Sequence, residues 1–347
     1  MDIRDLFDIS LPIIQAPMAG AQNHQLAAAV STAGGLGSVP AGMLAAEVLD
    51  AELTAMAALT DKPYNVNFFC HRTPVADPRR DEAWLAMLMP FLQELQIDPA
   101  SIPSGATRKP FDAAMADVIE RHRPAVVSFH FGLPAPDLLQ RVRATGAKIL
   151  SSATTLEEGL WLQAQGVDAV IAQGLEAGGH RGMFLSDDID SQVGILALLP
   201  QLVAALDIPV IAAGCIADAR GVAAAQALGA AGVQVGTAYL LCDESRISQL
   251  HRQALQSPAA RNTVLTTLFS GRPARGIVNR LIQELGPRPD AVPTFPLAGN
   301  AISVLRAKAE SQGLDHYSPL WAGQNVSGCR SIPAAELTAA LTVGWRA

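Results

Sequence analysis

The segment Gly178-Gly179-His180-Arg181-Gly182 is the densest cluster of chemically capable residues in the chain. Glycines on both sides of a His-Arg pair let the backbone press against a flat ligand, and an imidazole can exchange a proton near neutral pH. A surface histidine in a Gly-rich loop is the plain alternative. His130 is a different kind of candidate. It sits near the end of the apolar run Ala125–Phe131, where a catalytic group and a core histidine with one hydrogen-bond partner are both natural. Asn67 and Gln173 are amides among apolar neighbours; if buried, each needs partners, which a ligand ring edge or a neighbouring loop could supply. Met18, in Ala16-Pro17-Met18, offers a soft wall to a flat apolar pocket or fills core. Two turns, Gly214-Cys215 and Gly236-Thr237, could bring backbone N–H groups up to a phosphate.

These residues need elements to position them. Eight short runs rich in Val, Ile and Phe are apolar on both faces, as strands of a buried parallel sheet are: Ile13–Met18, Gly35–Val39, Tyr64–Phe69, Ala125–Phe131, Lys148–Ala153, Ala169–Gln173, Pro209–Ala213 and Gly232–Gly236. Ala/Leu-rich stretches of helical spacing separate them, and Gly34, Gly146, Gly166 and Gly229 stand where a left-handed residue would close a helix. Eightfold alternation predicts an α/β fold, a (β/α)8 barrel over residues 1–240. A doubly wound open sheet would normally carry G-x-G-x-x-G, and the nearest match, Gly35-Leu36-Gly37-Ser38-Val39-Pro40, has proline in the third glycine position. In a barrel every candidate above falls at or just after the C-terminal end of a strand, where barrel chemistry is done, and the two Gly turns follow the seventh and eighth strands, the usual phosphate site. Residues 71–123 form an insertion after the third strand, with Pro/Arg-rich turns around Pro74–Arg80 and Ile102–Pro110. Residues 241–347 are too many for one closing helix and predict an α-rich C-terminal cap, with a helical pattern over Ile302–Gln312 and a loop at Gly271–Gly276.

Composition bounds the function. The chain has 347 residues, 25 Lys+Arg against 32 Asp+Glu, and 50% hydrophobic residues, which fits a globular enzyme with a large core. A net charge of -7 without a basic run argues against nucleic-acid or anionic-membrane partners. The most apolar stretch, Leu196–Ala217, is interrupted by Pro200, Gln201, Asp207 and Pro209, so no membrane span is expected. The first residues lack the basic and apolar regions of a secretory signal. Cys70, Cys215, Cys242 and Cys329 have no zinc or redox spacing, and the seven histidines never pair at i, i+4 with a carboxylate. Reduced thiols, a cytoplasmic location and no metal are therefore expected.

Pro12–Gly20, Asn65–Phe69, Ser128–Gly132, Ala177–Gly182, Val235–Thr237 and Leu320–Gln324, taken in order, resemble the nitronate monooxygenase family, formerly 2-nitropropane dioxygenases, in the class that does not oxidise NAD(P)H. The resemblance covers nearly the whole chain. It implies an FMN-dependent barrel enzyme that oxidises alkyl nitronates, such as propionate 3-nitronate, with O2 to a carbonyl product and nitrite. It places Met18, Asn67 and Gln173 around the isoalloxazine. It gives Gly178, Gly214, Cys215 and the run Gln234, Val235, Gly236 and Thr237 to the ribityl phosphate. His180 matches the family's proposed base and His130 a second histidine facing the flavin; the sequence does not separate their roles. Separately from the resemblance, Arg181 or backbone donors are expected to stabilise the substrate anion, with an exposed arginine as the plain alternative for Arg181.

This chain departs from the family twice. Cys215 replaces a second glycine, and a cysteine with negative φ can still donate its N–H, so FMN binding is expected to survive. Some relatives line the substrate pocket with C-terminal tyrosines, whereas Phe295 and Ala298–Ala301 offer none. The alternative function is an FMN-dependent NAD(P)H reductase of quinones or enoyl thioesters. A flavin-free phosphate-sugar aldolase or isomerase lacks a lysine at the right strand end, since Lys148 begins its strand, and a non-catalytic flavin carrier would turn nothing over. A homodimer is left open, as is whether 71–123 caps the site.

Overall fold

The computed structural model describes residues 2–75, 77–105 and 108–346. Eight parallel strands, β1 (Ile13–Gln15), β2 (Gly37–Pro40), β3 (Tyr64–Phe69), β4 (Val126–His130), β5 (Lys148–Ala153), β6 (Ala169–Gln173), β8 (Val210–Ala213) and β9 (Gly232–Val235), run in spatial order β1-β9-β8-β6-β5-β4-β3-β2. The Ile14–Leu36 bridge joins β1 to β2 and closes the (β/α)8 barrel. Each predicted run contributes one of these strands. Gly34, Gly146, Gly166 and Gly229 have φ of 96°, 89°, 76° and 91°, the left-handed turn that ends a helix and that a Cβ would strain.

Strand alternation sorts side chains inward and outward. On β4, Val127 and Phe129 join the shell between strands and helices, while Val126 joins the barrel interior; Ser128 and His130 therefore point inward. The same count turns Asn67 on β3, Gln173 on β6 and Gln234 on β9 inward. It turns Val235 outward, where it is 1% exposed in the outer core. The short helix Ile3–Phe7 plugs the N-terminal end of the barrel, with Ile3 and Phe7 packed against Ile14, Leu36 and Ile211.

The segments that do not fit a bare barrel pack on each other. Within 71–123, of which residues 76, 106 and 107 lie outside the described residues, Asp77 accepts from the N–H groups of Arg79 and Arg80 and opens the helix Pro78–Glu94. Its Trp84, Leu88, Phe91 and Leu92 share a core with Leu268, Ile302, Leu305 and Tyr317 from the C-terminal segment. The helix Ala113–His122 then returns to the barrel wall.

The C-terminal segment differs from the sequence expectation in two ways. It contains an antiparallel pair, β10 (Thr263–Thr266) and β11 (Ala274–Ile277), with β11 running through part of the expected Gly271–Gly276 loop and pairing with β7 (Gly179–His180). Such non-local pairing leaves little trace in a short stretch with Gly at both ends. The division at residue 240 is also crossed: the last helix, Ala334–Thr342, packs on the barrel, with Tyr239 Oη 2.8 Å from Thr338 Oγ1. That helix occupies the place of the closing barrel helix, a hundred residues after β9. No helix among the described residues is long and apolar enough to cross a membrane.

Candidate functional site

A cavity of about 280 Å3 opens at the C-terminal ends of the strands. Met18, Asn67, His130, Gln173, Gly178, His180, Gly214, Cys215, Gln234, Gly236 and Thr237 all line it. Two sequence assignments do not reach it. Val235 faces the outer core, as the alternation requires, and its carbonyl accepts the Ala16 N–H at 2.8 Å. Arg181 is fully buried, neither exposed nor in the cavity wall. Its Nε donates to Gln192 Oε1 at 3.0 Å, Nη1 to the Gly174 carbonyl at 2.6 Å and Nη2 to the Gln173 carbonyl at 2.7 Å. Burial lowers it to about 10, which leaves it charged, with its donors spent on folding the loop. Arg181 is thus a structural cation, and the substrate role expected for it is withdrawn.

Glu158 anchors the other side of this loop. It is 1% exposed, and its carboxylate accepts from Thr154 N and Oγ1 and from the N–H groups of Phe184 and Leu185. Gln173 donates from Nε2 to the His180 carbonyl at 2.9 Å and accepts the Gly182 N–H at 2.7 Å. Its amide therefore holds the loop first. Asn67 Nδ2 donates to Ser128 Oγ at 2.9 Å, and its Oδ1 accepts no hydrogen bond among the described residues.

The two histidines are held differently. His130 is clamped: Nε2 donates to the His180 carbonyl at 3.2 Å and Nδ1 accepts from Ser152 Oγ at 3.0 Å. Burial lowers it to about 4, and Arg272 and Arg181 push the same way, so it is neutral with both ring nitrogens occupied. His180 is carried on β7 and pairs with Ala274 on β11. Its Nε2 lies 2.8 Å from Ser270 Oγ, which donates onward to the Arg272 carbonyl at 3.3 Å. That relay makes Nε2 the protonated nitrogen and leaves Nδ1 as the lone pair, with no protein partner among the described residues. Burial, followed by the fields of Arg108, His130, Arg272 and His71, holds His180 well below the usual histidine range.

Aromatic rings box this histidine. The centres of Phe295 and Trp321 lie 5.5 Å from that of His180, Phe131 at 6.1 Å and Phe69 at 6.4 Å. Phe131 has φ of 70°, a strained turn for a bulky residue, so β4 stops just after His130 and Phe131 turns back into the aromatic cluster. Two cations cover the rings: Arg272 Cζ lies 4.1 Å from the Phe131 centre and Arg108 Cζ 5.6 Å from the Phe295 centre.

The turns after β8 and β9 form the opposite end of the cavity. Gly214 has φ of 110° and Cys215 φ of 61°, so the negative φ expected for the cysteine is corrected: it occupies the left-handed conformation that a glycine would adopt freely. Its carbonyl accepts from Asn325 Nδ2 at 3.2 Å. Gly178 has no room for a side chain, since an added Cβ would lie 2.6 Å from Ala322 C and Gly323 N. Thr237 Oγ1 accepts the Gly323 N–H at 2.9 Å, leaving its own O–H to donate. Gln234 Oε1, at the cavity wall, is buried with no hydrogen-bond partner among the described residues, and such a buried acceptor is costly unless something donates to it.

Ser270, Ser152, Glu158 and Arg108 were missed by sequence reasoning. The first three act across 90, 22 and 26 residues respectively, and nothing local distinguishes them from ordinary polar residues. Trp321 lay within a motif already noted, which signalled its importance but not its ring contact.

The nitronate monooxygenase family model matches residues 2–344. The nitronate monooxygenase of Paraburkholderia phytofirmans is 45% identical over 97% of this chain and 92% of its own length, and that of Pseudomonas aeruginosa is 44% identical over 96% and 95%. The solved structure of nitroalkane oxidase from Streptomyces ansochromogenes superposes with a TM-score of 0.88 at 39% identity, covering 98% of this chain and 97% of that one. FabK from Thermotoga maritima superposes with a TM-score of 0.72 at 28% identity, over 98% and 94%. With the barrel, the strand-end cavity and the two histidines in place, the chain belongs to the nitronate monooxygenase family of flavin-dependent oxidoreductases.

Proposed function

We propose that this chain uses FMN and O2 to oxidise small alkyl nitronates, propionate 3-nitronate among them, to a carbonyl product and nitrite in the cytoplasm. The carrying observation is a neutral His180 in an aromatic chamber whose nearby fixed charges, Arg108 and Arg272, are positive. Such a chamber favours an anion over a neutral molecule that must first be deprotonated.

The cavity fits a flavin mononucleotide. Gly214, Cys215, Gly236 and the Thr237 hydroxyl would hold the phosphate with backbone N–H and O–H donors, close to Gly178. Gln234 Oε1, buried without a partner among the described residues, and the Asn67 side chain, whose Nδ2 is already held by Ser128, offer acceptors along the wall, and Met18 an apolar face. When bound, FMN supplies the electron acceptor for the nitronate and the site at which O2 is reduced.

The protein's part is positioning. Ser270 fixes the His180 tautomer, so Nδ1 faces the cavity as an acceptor that can take the α-proton of a nitroalkane and donates nothing to a preformed nitronate. The imidazolium so formed would stand among cations in a dry site, which makes His180 a weak base and the preformed nitronate the better substrate. His130, clamped at both nitrogens, holds the His180 backbone. Phe69 and Trp321 in the cavity wall, backed by the buried Phe131 and Phe295, keep water from the reacting carbon.

The test is anaerobic: the visible spectrum of purified protein is followed after adding a nitronate to one sample and NADH to another. Yellow protein bleached by nitronate and not by NADH is expected. Bleaching by NADH alone would transfer the site to a reductase, and colourless protein that binds no added FMN would refute the cofactor.

A further inference from the structure

Arg108 has a place in the site that goes beyond the positive field it shares with Arg272. It comes from neither the barrel nor the C-terminal segment but from the insertion after β3, ahead of its helix Ala113–His122, and it is part of the cavity wall. Its guanidinium stands against one side of the Phe295 ring at 5.6 Å, while His180 contacts the same ring at 5.5 Å. Neither Arg108 nor Arg272 has a carboxylate within ion-pairing distance among the described residues. The two differ in how they are spent. Arg272 donates to the Met183 carbonyl and lies outside the cavity wall; Arg108 makes no side-chain hydrogen bond to any described residue. A half-buried guanidinium with five donors and no acceptor is an anion site in waiting.

We propose that Arg108 is the specificity-determining residue of this enzyme, binding a carboxylate carried by the substrate a few bonds from its nitronate carbon. This rests on the nitronate reading, since His180 marks where the nitronate end lies. His180 and Arg108 both line the cavity, and the buried Phe295 ring backs the wall behind them. A short chain with the nitronate at His180 and a carboxylate at Arg108 would span that stretch of wall, with charged groups only at its ends. A simple alkyl nitronate fills the same chamber and leaves Arg108 unpaired. The cation that reads the substrate therefore belongs to the inserted segment, and Arg181, the arginine beside the catalytic histidine in sequence, takes no part.

The experiment compares propionate 3-nitronate with propyl-1-nitronate, its counterpart without a carboxylate, in wild type, Arg108→Gln and Arg108→Lys. Loss of a charge-assisted hydrogen bond should lower kcat/KM for propionate 3-nitronate by about 10- to 100-fold in Arg108→Gln. The propyl compound, which feels the positive field of Arg108 but makes no direct contact with it, should lose several-fold less than propionate 3-nitronate does. Arg108→Lys should recover part of the loss, because it restores charge without the fork. Equal losses on both substrates, or a wild type indifferent to the carboxylate, would overturn the assignment. Should wild type turn over neither nitronate, the nitronate reading fails by itself. Arg108 is then judged by calorimetric binding of butyrate against butyramide: preference for butyrate that vanishes in Arg108→Gln sustains the carboxylate site, and no preference refutes it.

Discussion

Replacing Cys215 by glycine should stabilise the protein, an unusual outcome for a residue in a turn that lines the cavity. Cys215 is exposed and holds φ of 61°. An L-residue in that conformation costs about 1–2 kcal/mol, which glycine avoids, while the greater freedom of glycine in the unfolded chain returns about 0.4–1 kcal/mol. The net gain is roughly 0.5–1 kcal/mol. For 347 residues at about 2 cal/mol/K of unfolding entropy each, 1 kcal/mol moves Tm by only about 1–2 °C. Urea denaturation of the flavin-stripped protein is therefore the sharper assay, with Cys215→Ala as the control. Alanine removes the thiol and keeps the Cβ, so it should remain as strained as wild type and less stable than the glycine variant. Flavin retention should be unchanged in both, because the N–H direction follows the backbone. Equal stability of the glycine and alanine variants would refute the strain argument, and a less stable glycine variant would show that the turn gains more from the side chain than it loses.

His180→Asn should reduce turnover of a neutral nitroalkane by about 100-fold or more while a preformed nitronate suffers much less; His130→Asn should show no such split, and equal losses on both substrates for His180→Asn would remove its role as base. Arg181→Met leaves two carbonyls and the Gln192 amide oxygen without their donor, so unfolding free energy should fall by at least about 3 kcal/mol with the nitronate KM unchanged in the folded enzyme. A raised KM at unchanged stability would return Arg181 to the substrate. His130 and His251 are both pushed down to about 4, mainly by burial. Their folded affinity for protons is below that of the unfolded chain, so the stability they contribute is complete above about pH 6.5 and is lost as pH falls towards 4. The slope of urea stability against pH in that window should flatten in His251→Leu, and an unchanged slope would show that His251 does not titrate there.

Much of the architecture was legible because it repeats. Burial on both faces makes each barrel strand a short apolar run, and a helix that must stop before the next strand leaves a glycine; β3, β5 and β6 keep the predicted ends. Gathering Asn67, Gln173, Gly178, Gly214, Gln234 and Thr237 at one cavity follows from the same regularity, since parallel strands put all their C-terminal ends on one side. Period-two alternation could also have removed Val235. The C-terminal segment was less legible: its hairpin is paired with a two-residue strand, and its last helix closes a barrel whose final strand lies far upstream.

The sequence by itself determined which groups exist and at which end of the barrel they stand, because strand direction and apolar period are local properties. Only the tertiary structure decided what each group is free to do. His130 and His180 look alike in the chain, yet Ser152 and a backbone carbonyl occupy one while Ser270 leaves Nδ1 of the other open. Arg181 looked available and is enclosed by carbonyl oxygens, whereas Arg108, in an unremarkable stretch of the insertion, stands at the cavity with no counter-ion among the described residues. Protonation, charge pairing and access depend on neighbours brought from 20 to 200 residues away, and no local pattern encodes the neighbours of a folded side chain.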